Sequence, residues 1–279
     1  MDTRIGFIGG GNMASAMIGG LLAAGYKAEN MVVSDPWEPS RDKVATEFNV
    51  HTTTDNNLVA KMQVVVLAVK PQVMKQVAMG IAQVASEARP LFITIAAGIT
   101  IPDLCKWLQT NSADAVPAIV RCMPNTPALV QQGATGLYAG ASVSEKQRDL
   151  AMAILASISK RSYWVTSEAL LDVVTGLSGS GPAYFFLAVE ALVKQAVDLG
   201  LPLDVAQGLA AQTCLGAGQM LIATGEAPAE LRKKVTSPNG TTEAGVKALE
   251  DNGIRNAFSQ AVQKATARSQ ELGEILGKQ

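Results

Sequence analysis

A glycine-rich turn near the N-terminus has the residue types and spacing of a phosphate-binding loop. An apolar strand, Ile5 to Ile8, runs into Gly9-x-Gly11-x-x-Ala14 and then into a helical apolar pattern that ends at Gly25. Gly9 permits the tight turn, Gly11 lets a pyrophosphate approach the backbone, and Ala14 lets the helix pack on the sheet. The helix N-terminus offers free N–H groups and a positive dipole end to the phosphates. We therefore predict a dinucleotide site, with a purely structural glycine turn as the alternative.

The next strand ends in residues that could read the adenosine ribose. Met31–Val33 is followed by Ser34 and Asp35, where such a unit places its ribose contacts. The Asp35 carboxylate favours a free 2′-hydroxyl, and hence NADH, because it would repel a 2′-phosphate. Ser34 with Arg41 or Lys43 could instead bind that phosphate. The residues alone leave the choice between NADH and NADPH open.

A second polar cluster lies near the C-terminus, in residues 236–243. Ser237, Thr241 and Thr242 supply hydroxyl groups next to Gly240, at the predicted start of a helix. Hydroxyl and N–H groups at a helix N-terminus form an anion nest that suits a carboxylate. The alternative is an ordinary helix cap after a Pro-Asn-Gly turn, which would need one hydroxyl at most.

The absence of a cation early in the second half of the chain bears on the reaction. Between Arg161 and Lys194 the sequence has no Lys, Arg or His. Reduction of a ketone needs a general acid, and related two-domain hydroxyacid dehydrogenases use a lysine on the first long helix of this half. The absence indicates a substrate that needs no strong acid, such as a protonated imine that accepts hydride from a reduced nicotinamide. A hydroxyacid dehydrogenase and a non-catalytic dinucleotide sensor stay open as alternatives.

The order of elements predicts an α/β chain of two domains. Strands and helices alternate through residues 1–165, as in a Rossmann-type dinucleotide-binding domain, and Val64–Val69 reads as its central parallel strand. Residues 166–279 carry only helical patterns, so we predict an all-helical substrate-binding and dimerisation domain there.

Three local predictions concern the segments around this boundary. We predict a helix from about Ser144 to Lys160 and an edge strand at Tyr163–Val165. Gly133–Tyr138 is only a glycine-punctuated segment, and the glycines of Gly176–Pro182 predict a break between helices.

Composition limits the possible partners. Hydrophobic residues make up 48% of the chain and charged residues 17%, and the net charge is −1, which argues against a nucleic-acid or membrane partner. No apolar run is as long as a membrane span, and the early strand at Ile5 leaves no room for a signal segment, so we expect a cytoplasmic protein. The cysteines (Cys105, Cys122 and Cys214) have no metal-site spacing, and His51 is the single histidine. We expect reduced thiols and no metal.

Two consecutive helical stretches are unusually apolar. Ala183–Leu199 carries charge only on Glu190, Lys194 and Asp198, and Leu203–Ala223 has no charge after Asp204. Two such helices cannot both be hidden inside a domain of this size. We therefore expect a homodimer, with burial inside one chain as the alternative.

Several motifs along the chain, taken together, resemble the pyrroline-5-carboxylate reductase family. They occur in the family's order and span almost the whole sequence; they are Gly6–Met13, Ala68–Pro71, Arg121–Pro127, Gly176–Tyr184 and Val235–Thr242. The resemblance implies NAD(P)H-dependent reduction of 1-pyrroline-5-carboxylate to proline, the last step of proline biosynthesis. It also implies a homodimer built by the helical domain and assembled further into a homodecamer, and it favours NADPH over NADH.

The same resemblance implies site residues. Cofactor contacts would come from Gly9, Gly10, Gly11, Asn12, Met13, Ala14, Ser34, Asp35, Asn56, Ala68, Val69, Lys70, Pro71, Ala96 and Ala97. The substrate carboxylate would bind Ser237, Asn239, Gly240 and Thr241, and Thr242 would be hydrogen-bonded near the ring nitrogen as the catalytic contact. Asn239 departs from the glycine usual in the family, and we expect it at positive φ, where Asn is the next-best residue.

Overall fold

The computed structural model describes residues 2–109 and 115–277, and its strands form one eight-stranded sheet. The strands are β1 (Ile5–Ile8), β2 (Met31–Ser34), β3 (His51–Thr53), β4 (Val64–Leu67), β5 (Leu91–Thr94), β6 (Ala118–Met123), β7 (Gly133–Ala139) and β8 (Ser159–Trp164). Their order across the sheet is β3-β2-β1-β4-β5-β6-β7-β8. All neighbouring strands are parallel except the antiparallel pair β6 and β7. The chain therefore changes direction across the sheet between β1 and β4, and in such sheets a ligand crevice lies at that point, beyond the carboxyl ends of the strands.

Twelve α-helices lie in the described part of the chain. They are α1 (Asn12–Ala23), α2 (Glu38–Phe48), α3 (Asn56–Ala60), α4 (Pro71–Ala88), α5 (Ile101–Leu108), α6 (Glu145–Leu155), α7 (Leu170–Val174), α8 (Gly181–Asp198), α9 (Leu203–Thr224), α10 (Pro228–Lys234), α11 (Thr241–Asp251) and α12 (Ile254–Gly277). Asp55 caps α3 by accepting from the Asn57 N–H.

The sheet is covered on both faces. Alternate residues of β4 point into opposite apolar clusters, with Val64 and Val66 in one and Val65 and Leu67 in the other, and all four are fully buried. A continuous apolar strand is required when both faces are covered. The prediction of a central parallel strand at this position is confirmed.

The chain divides into two compact units. The first runs through Gly179 and also contains the chain from Lys264 onward, whereas the second is Ser180–Gln263. The predicted domain boundary at residue 165 stays a prediction. The structural division comes later because Leu171 of α7 is fully buried and the Val174 side chain lies against Gly136 of β7.

In the second unit α8 packs against α9, and most of the apolar surface of both helices is exposed. Phe186 is 67% exposed, Leu192 63% and Leu199 80%. The alternative that one chain buries these helices is therefore wrong. Burying a side chain of this size completely stabilises a protein by roughly 1.5–3 kcal/mol relative to leaving it exposed. A partner that covers these side chains would therefore bind with a substantial gain in free energy.

Two predictions on the first unit are wrong in detail. Gly133–Ala139 is a full strand, β7, and its glycines obscured the pattern because Gly136 is required for packing: a Cβ there would lie 2.8 Å from Val174 Cγ1. The helix predicted to reach Lys160 ends at Leu155, and β8 already begins at Ser159. The strand predicted at Tyr163–Val165 is the end of β8.

The break predicted at Gly176–Pro182 is narrow and lies at Ser180. After α7 the chain forms a π-helical turn, Thr175–Gly179, Ser180 is a bend, and α8 begins at Gly181 with Ser180 as its N-cap. By length and composition the 29-residue stretch Leu170–Asp198 could span a membrane, which corrects the expectation that no apolar run is long enough. Core helices of soluble proteins can have the same length and composition. The glycines of this segment permit the wider turn that precedes the break.

A buried arginine connects three elements of the first unit. Arg121 of β6 is 3% exposed, its Nη1 lies 3.0 Å from Glu168 Oε1, and its Nη2 lies 3.9 Å from Asp172 Oδ1. Glu168 Oε1 also accepts from the Ile101 N–H at 2.7 Å, and Asp172 Oδ1 accepts from the Ser269 hydroxyl at 2.7 Å. Removing one partner of a buried pair typically costs about 3–5 kcal/mol, because the other charge stays buried without compensation.

Candidate active site

The turn after β1 touches the loop after β4 through backbone atoms. Gly9 has φ of +100°, and a Cβ on it would lie 2.7 Å from the Ala68 carbonyl oxygen. The Gly9 N–H donates to the Ser34 carbonyl at 2.8 Å, and the Ala68 N–H donates to the Ile8 carbonyl at 2.8 Å. The carboxyl ends of β1, β2 and β4 are thus joined directly, and only glycine fits at position 9.

The start of α1 is open to a ligand. Gly11 precedes the helix in an extended conformation, and within the described chain no atom lies within 4 Å of the position that its Cβ would occupy. The first helical hydrogen bond to Gly11 comes from the Ser15 N–H, so the N–H groups of Asn12, Met13 and Ala14 have no intrahelical acceptor. The first turn contains no acidic residue. The geometry fits a pyrophosphate held by backbone N–H groups.

Asp35 holds the glycine turn to the segment after β2. Its Oδ2 accepts from the Gly10 N–H at 2.8 Å and from the Ser40 hydroxyl at 3.3 Å, and its Oδ1 accepts from the Trp37 N–H at 2.8 Å. The carboxylate is therefore largely satisfied by the protein. The sequence predicts Asp35 only as a ribose contact, and the structure shows that Asp35 also holds the glycine turn.

The side chain of Ser34 is unavailable to a phosphate in this structure. It is fully buried and donates to Asn56 Oδ1 at 2.7 Å. The structure thus joins Ser34 to Asn56, which is also a predicted cofactor contact. Arg41 is half-buried, and its Nη1 donates to the carbonyls of Asp35 at 2.8 Å and Pro36 at 3.0 Å, which holds the guanidinium beside the loop.

The remaining predicted cofactor residues follow β4 and β5. Ala68 and Val69 are half-buried, Lys70 is exposed at the N-cap of α4, and Pro71 occupies the first position of that helix. Ala96 is buried and Ala97 half-buried in the loop after β5. The carboxyl ends of parallel neighbours lie at one edge of the sheet, so the structure places these residues at the same edge as Gly9–Ala14.

The predicted carboxylate loop belongs to the second unit. The Gly240 N–H donates to the Ser237 carbonyl at 3.0 Å and closes a tight turn, in which Asn239 has φ of +58° as predicted. A Cβ on Gly240 would lie 2.5 Å from Ser237 Oγ, which explains the glycine. The Asn239 N–H donates to Glu243 Oε2 at 2.7 Å. Two of the loop's N–H groups are thereby occupied, and those of the first turn of α11 remain available for an anion.

The hydroxyls of this loop do not cap the helix. Gly240 is the N-cap of α11, and over the described residues no side chain bonds to that helix end as a cap. The ordinary-cap alternative for Ser237, Thr241 and Thr242 is therefore not realised. Ser237, Thr241 and Thr242 are all exposed, the last two in the first turn of α11. Such hydroxyls and N–H groups can hold a carboxylate.

Two residues of the first unit were missed by the sequence analysis. The Asn125 side chain is buried, donates to the Ser178 carbonyl at 3.0 Å and accepts from the Ala134 N–H at 2.9 Å, so it fixes the π-helical turn. Arg121 connects β6 to α7, and its signal was a charged residue inside an apolar strand. Its neighbour Cys122 is an inert thiol, because burial raises its pKa to about 12.

The described residues contain no group of three His, Cys, Asp or Glu side chains that could hold a metal ion. The three cysteines are unpaired. What the geometry supplies is a helix start without a side-chain cap in each unit, at Gly11 in the first and at Gly240 in the second.

Comparison with known proteins agrees with both halves of this description. The family model described as NADP oxidoreductase, coenzyme F420-dependent, matches residues 4–98, and the one described as pyrroline-5-carboxylate reductase dimerisation matches residues 168–272. A pyrroline-5-carboxylate reductase of Pseudomonas aeruginosa is 47% identical, with 99% of this chain and 98% of that protein covered. The enzyme of Synechocystis sp. is 42% identical, with 98% and 100% covered.

Solved structures give the same result. A pyrroline-5-carboxylate reductase from Coxiella burnetii is 42% identical and superposes with a TM-score of 0.91, covering 98% of this chain and 99% of that one. The enzyme from Plasmodium falciparum, solved with NADP bound, is 28% identical with a TM-score of 0.85, and 98% of each chain is covered. The motifs, the fold and the full-length similarity agree: the chain belongs to the pyrroline-5-carboxylate reductase family.

Proposed function

We propose that this chain reduces 1-pyrroline-5-carboxylate to L-proline with NADPH, with NADH as a poorer donor. The observation that carries the proposal is the pair of uncapped helix starts, one shaped for a pyrophosphate at Gly11 and one shaped for a carboxylate at Gly240. A hydroxyacid dehydrogenase lacks support because the chain has no cation between Arg161 and Lys194. A non-catalytic sensor would not need the second helix start.

The protein's part in the reaction is to bind and orient. The N–H groups at the start of α11 and the Ser237 and Thr241 hydroxyls hold the substrate carboxylate at the positive end of the helix dipole. The Asn239 N–H is occupied by Glu243, so Asn239 contributes through its side-chain amide. The Thr242 hydroxyl accepts a hydrogen bond from the iminium N–H and thereby fixes the orientation of the substrate ring. The reduced nicotinamide, when bound, supplies the hydride to the carbon of the C=N bond.

The proton balance explains why no strong acid is needed. The protonated imine already carries its proton on nitrogen, so hydride addition to carbon gives the secondary amine directly. The C–H bond forms as the C=N double bond becomes single, and its electron pair moves to nitrogen. The protein needs only to hold the ring and to stabilise the carboxylate.

We expect replacement of Thr242 by Ala to lower kcat/KM by roughly ten- to a hundredfold, because a hydrogen bond to a charged group contributes about 1.5–3 kcal/mol if it strengthens in the transition state. Thr242→Ser keeps the hydroxyl and should lose much less. Steady-state kinetics and thermal unfolding of both variants provide the measurement. If Thr242→Ala lowers the melting temperature and keeps wild-type kcat/KM, the residue is structural.

Three side chains at the end of β2 and directly after it support the proposed preference for NADPH. Ser34 is buried and bonded to Asn56, and the Asp35 carboxylate already accepts hydrogen bonds from Gly10 and Trp37. Arg41 is held beside the loop by two carbonyl oxygens and still has donors to spare. We assign Arg41 to the 2′-phosphate, because an arginine near this position accommodates that group in NADP-binding domains.

Arg41→Ala should raise the KM for NADPH more than the KM for NADH, since only NADPH carries the 2′-phosphate. Lys43→Ala, at an exposed lysine on the same helix, is the matched control and should change neither value appreciably. Initial rates with each cofactor measure the effect. Equal increases for the two cofactors, or a selective effect at Lys43 instead, would remove the assignment of Arg41.

The proposal extends to assembly, division of labour and cell compartment. Residues 1–165 bind the dinucleotide, and residues 166–279 bind substrate and form the homodimer, supported by the match to a dimerisation family and the exposed apolar faces of α8 and α9. The homodecamer rests on the resemblance. The unpaired cysteines fit a reducing compartment such as the cytoplasm. A nucleic-acid or membrane partner is not part of the proposal.

Leu192→Asp tests the dimer. Leu192 is 63% exposed in the single chain, so an aspartate there costs little unless a second chain covers it, whereas an unpaired charge in an interface is strongly destabilising. We expect light scattering to show a dimer or larger assembly for the wild type, and monomer or aggregate for the variant. Leu129→Asp, at a leucine 55% exposed in the first unit, should keep the wild-type mass. A monomeric wild type at micromolar concentration would contradict the dimer.

A further inference from the structure

The C-terminal half of α12 touches the loop after β5 backbone to backbone. A Cβ on Gly273 would lie 2.7 Å from the Gly98 carbonyl oxygen, and a Cβ on Gly98 would lie 3.1 Å from the Gly273 nitrogen. Gly98 also has φ of +78°. All these residues belong to the first unit. A glycine is therefore needed on both sides, and any side chain at Gly273 must displace the loop.

Polar contacts continue this connection around the loop. One helical turn before Gly273, the buried Ser269 hydroxyl donates to Asp172 at 2.7 Å. Asp172 lies beside Arg121, which pairs with Glu168 at 3.0 Å. Glu168 accepts from the Ile101 N–H at 2.7 Å, and Ile101 begins the helix directly after the loop. The contacts therefore lead from Gly98 through α12, α7 and β6 and return to Ile101.

The same end of α12 is fixed by apolar packing. Leu276 is 8% exposed and belongs to the cluster that includes Ile99, Leu104 and Trp107. The loop after β5 is therefore held by α12 at Gly98 and Ile99. Directly after the loop, Glu168 holds Ile101. We call Gly98, Gly273, Ser269 and Asp172 the brace.

From this placement we infer that Gly273 and Ser269 are positioning residues for the nicotinamide half of the cofactor, acting through the loop that contains Ala96 and Ala97. The inference rests on the proposed function. In a doubly wound sheet the half that contains β1 and β2 binds the adenosine and the other half, which contains β4 and β5, binds the second nucleotide. Within the part of the chain that the structure describes, the contacts of the brace reach the β5 loop, and none of them is made to Gly9–Ala14 or Asp35.

The test compares binding of the whole dinucleotide with binding of its adenosine half. The proteins are the wild type, Gly273→Ala, Ser269→Ala and the control Gly80→Ala, which places the same methyl group in α4 at a position with no described atom within 4 Å. Calorimetric titration uses NADP⁺ and 2′,5′-ADP, or NAD⁺ and ADP if the wild type binds these more tightly. Ser269→Ala removes the bond to Asp172 without adding bulk.

We expect Gly273→Ala to weaken dinucleotide binding roughly ten- to a hundredfold, because small displacements of a positioning group have effects of this size. Binding of the adenosine half should equal that of the wild type, Ser269→Ala should show a smaller effect of the same pattern, and Gly80→Ala should show none. A purely structural role would not separate the two ligands.

The inference is overturned if Gly273→Ala binds the dinucleotide as the wild type does, or if both ligands weaken equally. If Gly273→Ala does not fold, Ser269→Ala decides by the same criterion. A wild type that binds neither ligand would refute the proposed function itself, and with it the role of the brace, so the two failures are distinguishable.

Discussion

The close contact between the turn after β1 and the loop after β4 is the constraint on which the dinucleotide site depends. Gly9 can take φ of +100° beside the Ala68 carbonyl only because it has no side chain. That turn leads into α1 with Gly11 open at the start of the helix. Asp35 then fixes the turn by accepting from the Gly10 N–H. The anion-binding N–H groups are therefore set in place before any ligand arrives, which lowers the cost of binding.

The second unit follows a different constraint, because its folding leaves apolar surface uncovered. Helices α8 and α9 pack on each other and still expose phenylalanine and leucine side chains. Exposed patches of this kind mark interaction surfaces in soluble proteins. The unit also presents the start of α11 with its hydroxyls. Assembly and substrate binding are thus proposed for the same unit, whereas the first unit is stabilised by its own two cores.

The sequence predicts well where one local rule decides the structure. The glycine turn, the buried strand β4 and the positive φ of Asn239 each follow from a residue's own chemistry. Prediction failed where tertiary contacts decide. Gly136 resembles a break in a pattern, but it allows the strand β7 to pack against Val174 of α7. The return of α12 to the β5 loop depends on the contact of Gly98 with Gly273, which are far apart in sequence and carry no periodic signal.

The central claim is that the chain reduces a cyclic imino acid and not a ketone. It is tested most directly by following the absorbance of NADPH in the presence of purified protein with 1-pyrroline-5-carboxylate, and separately with a panel of 2- and 3-keto acids. We predict rapid oxidation with 1-pyrroline-5-carboxylate, formation of proline in equal amount, and no oxidation above background with the keto acids. Oxidation of NADPH by a keto acid without activity toward 1-pyrroline-5-carboxylate would contradict the account.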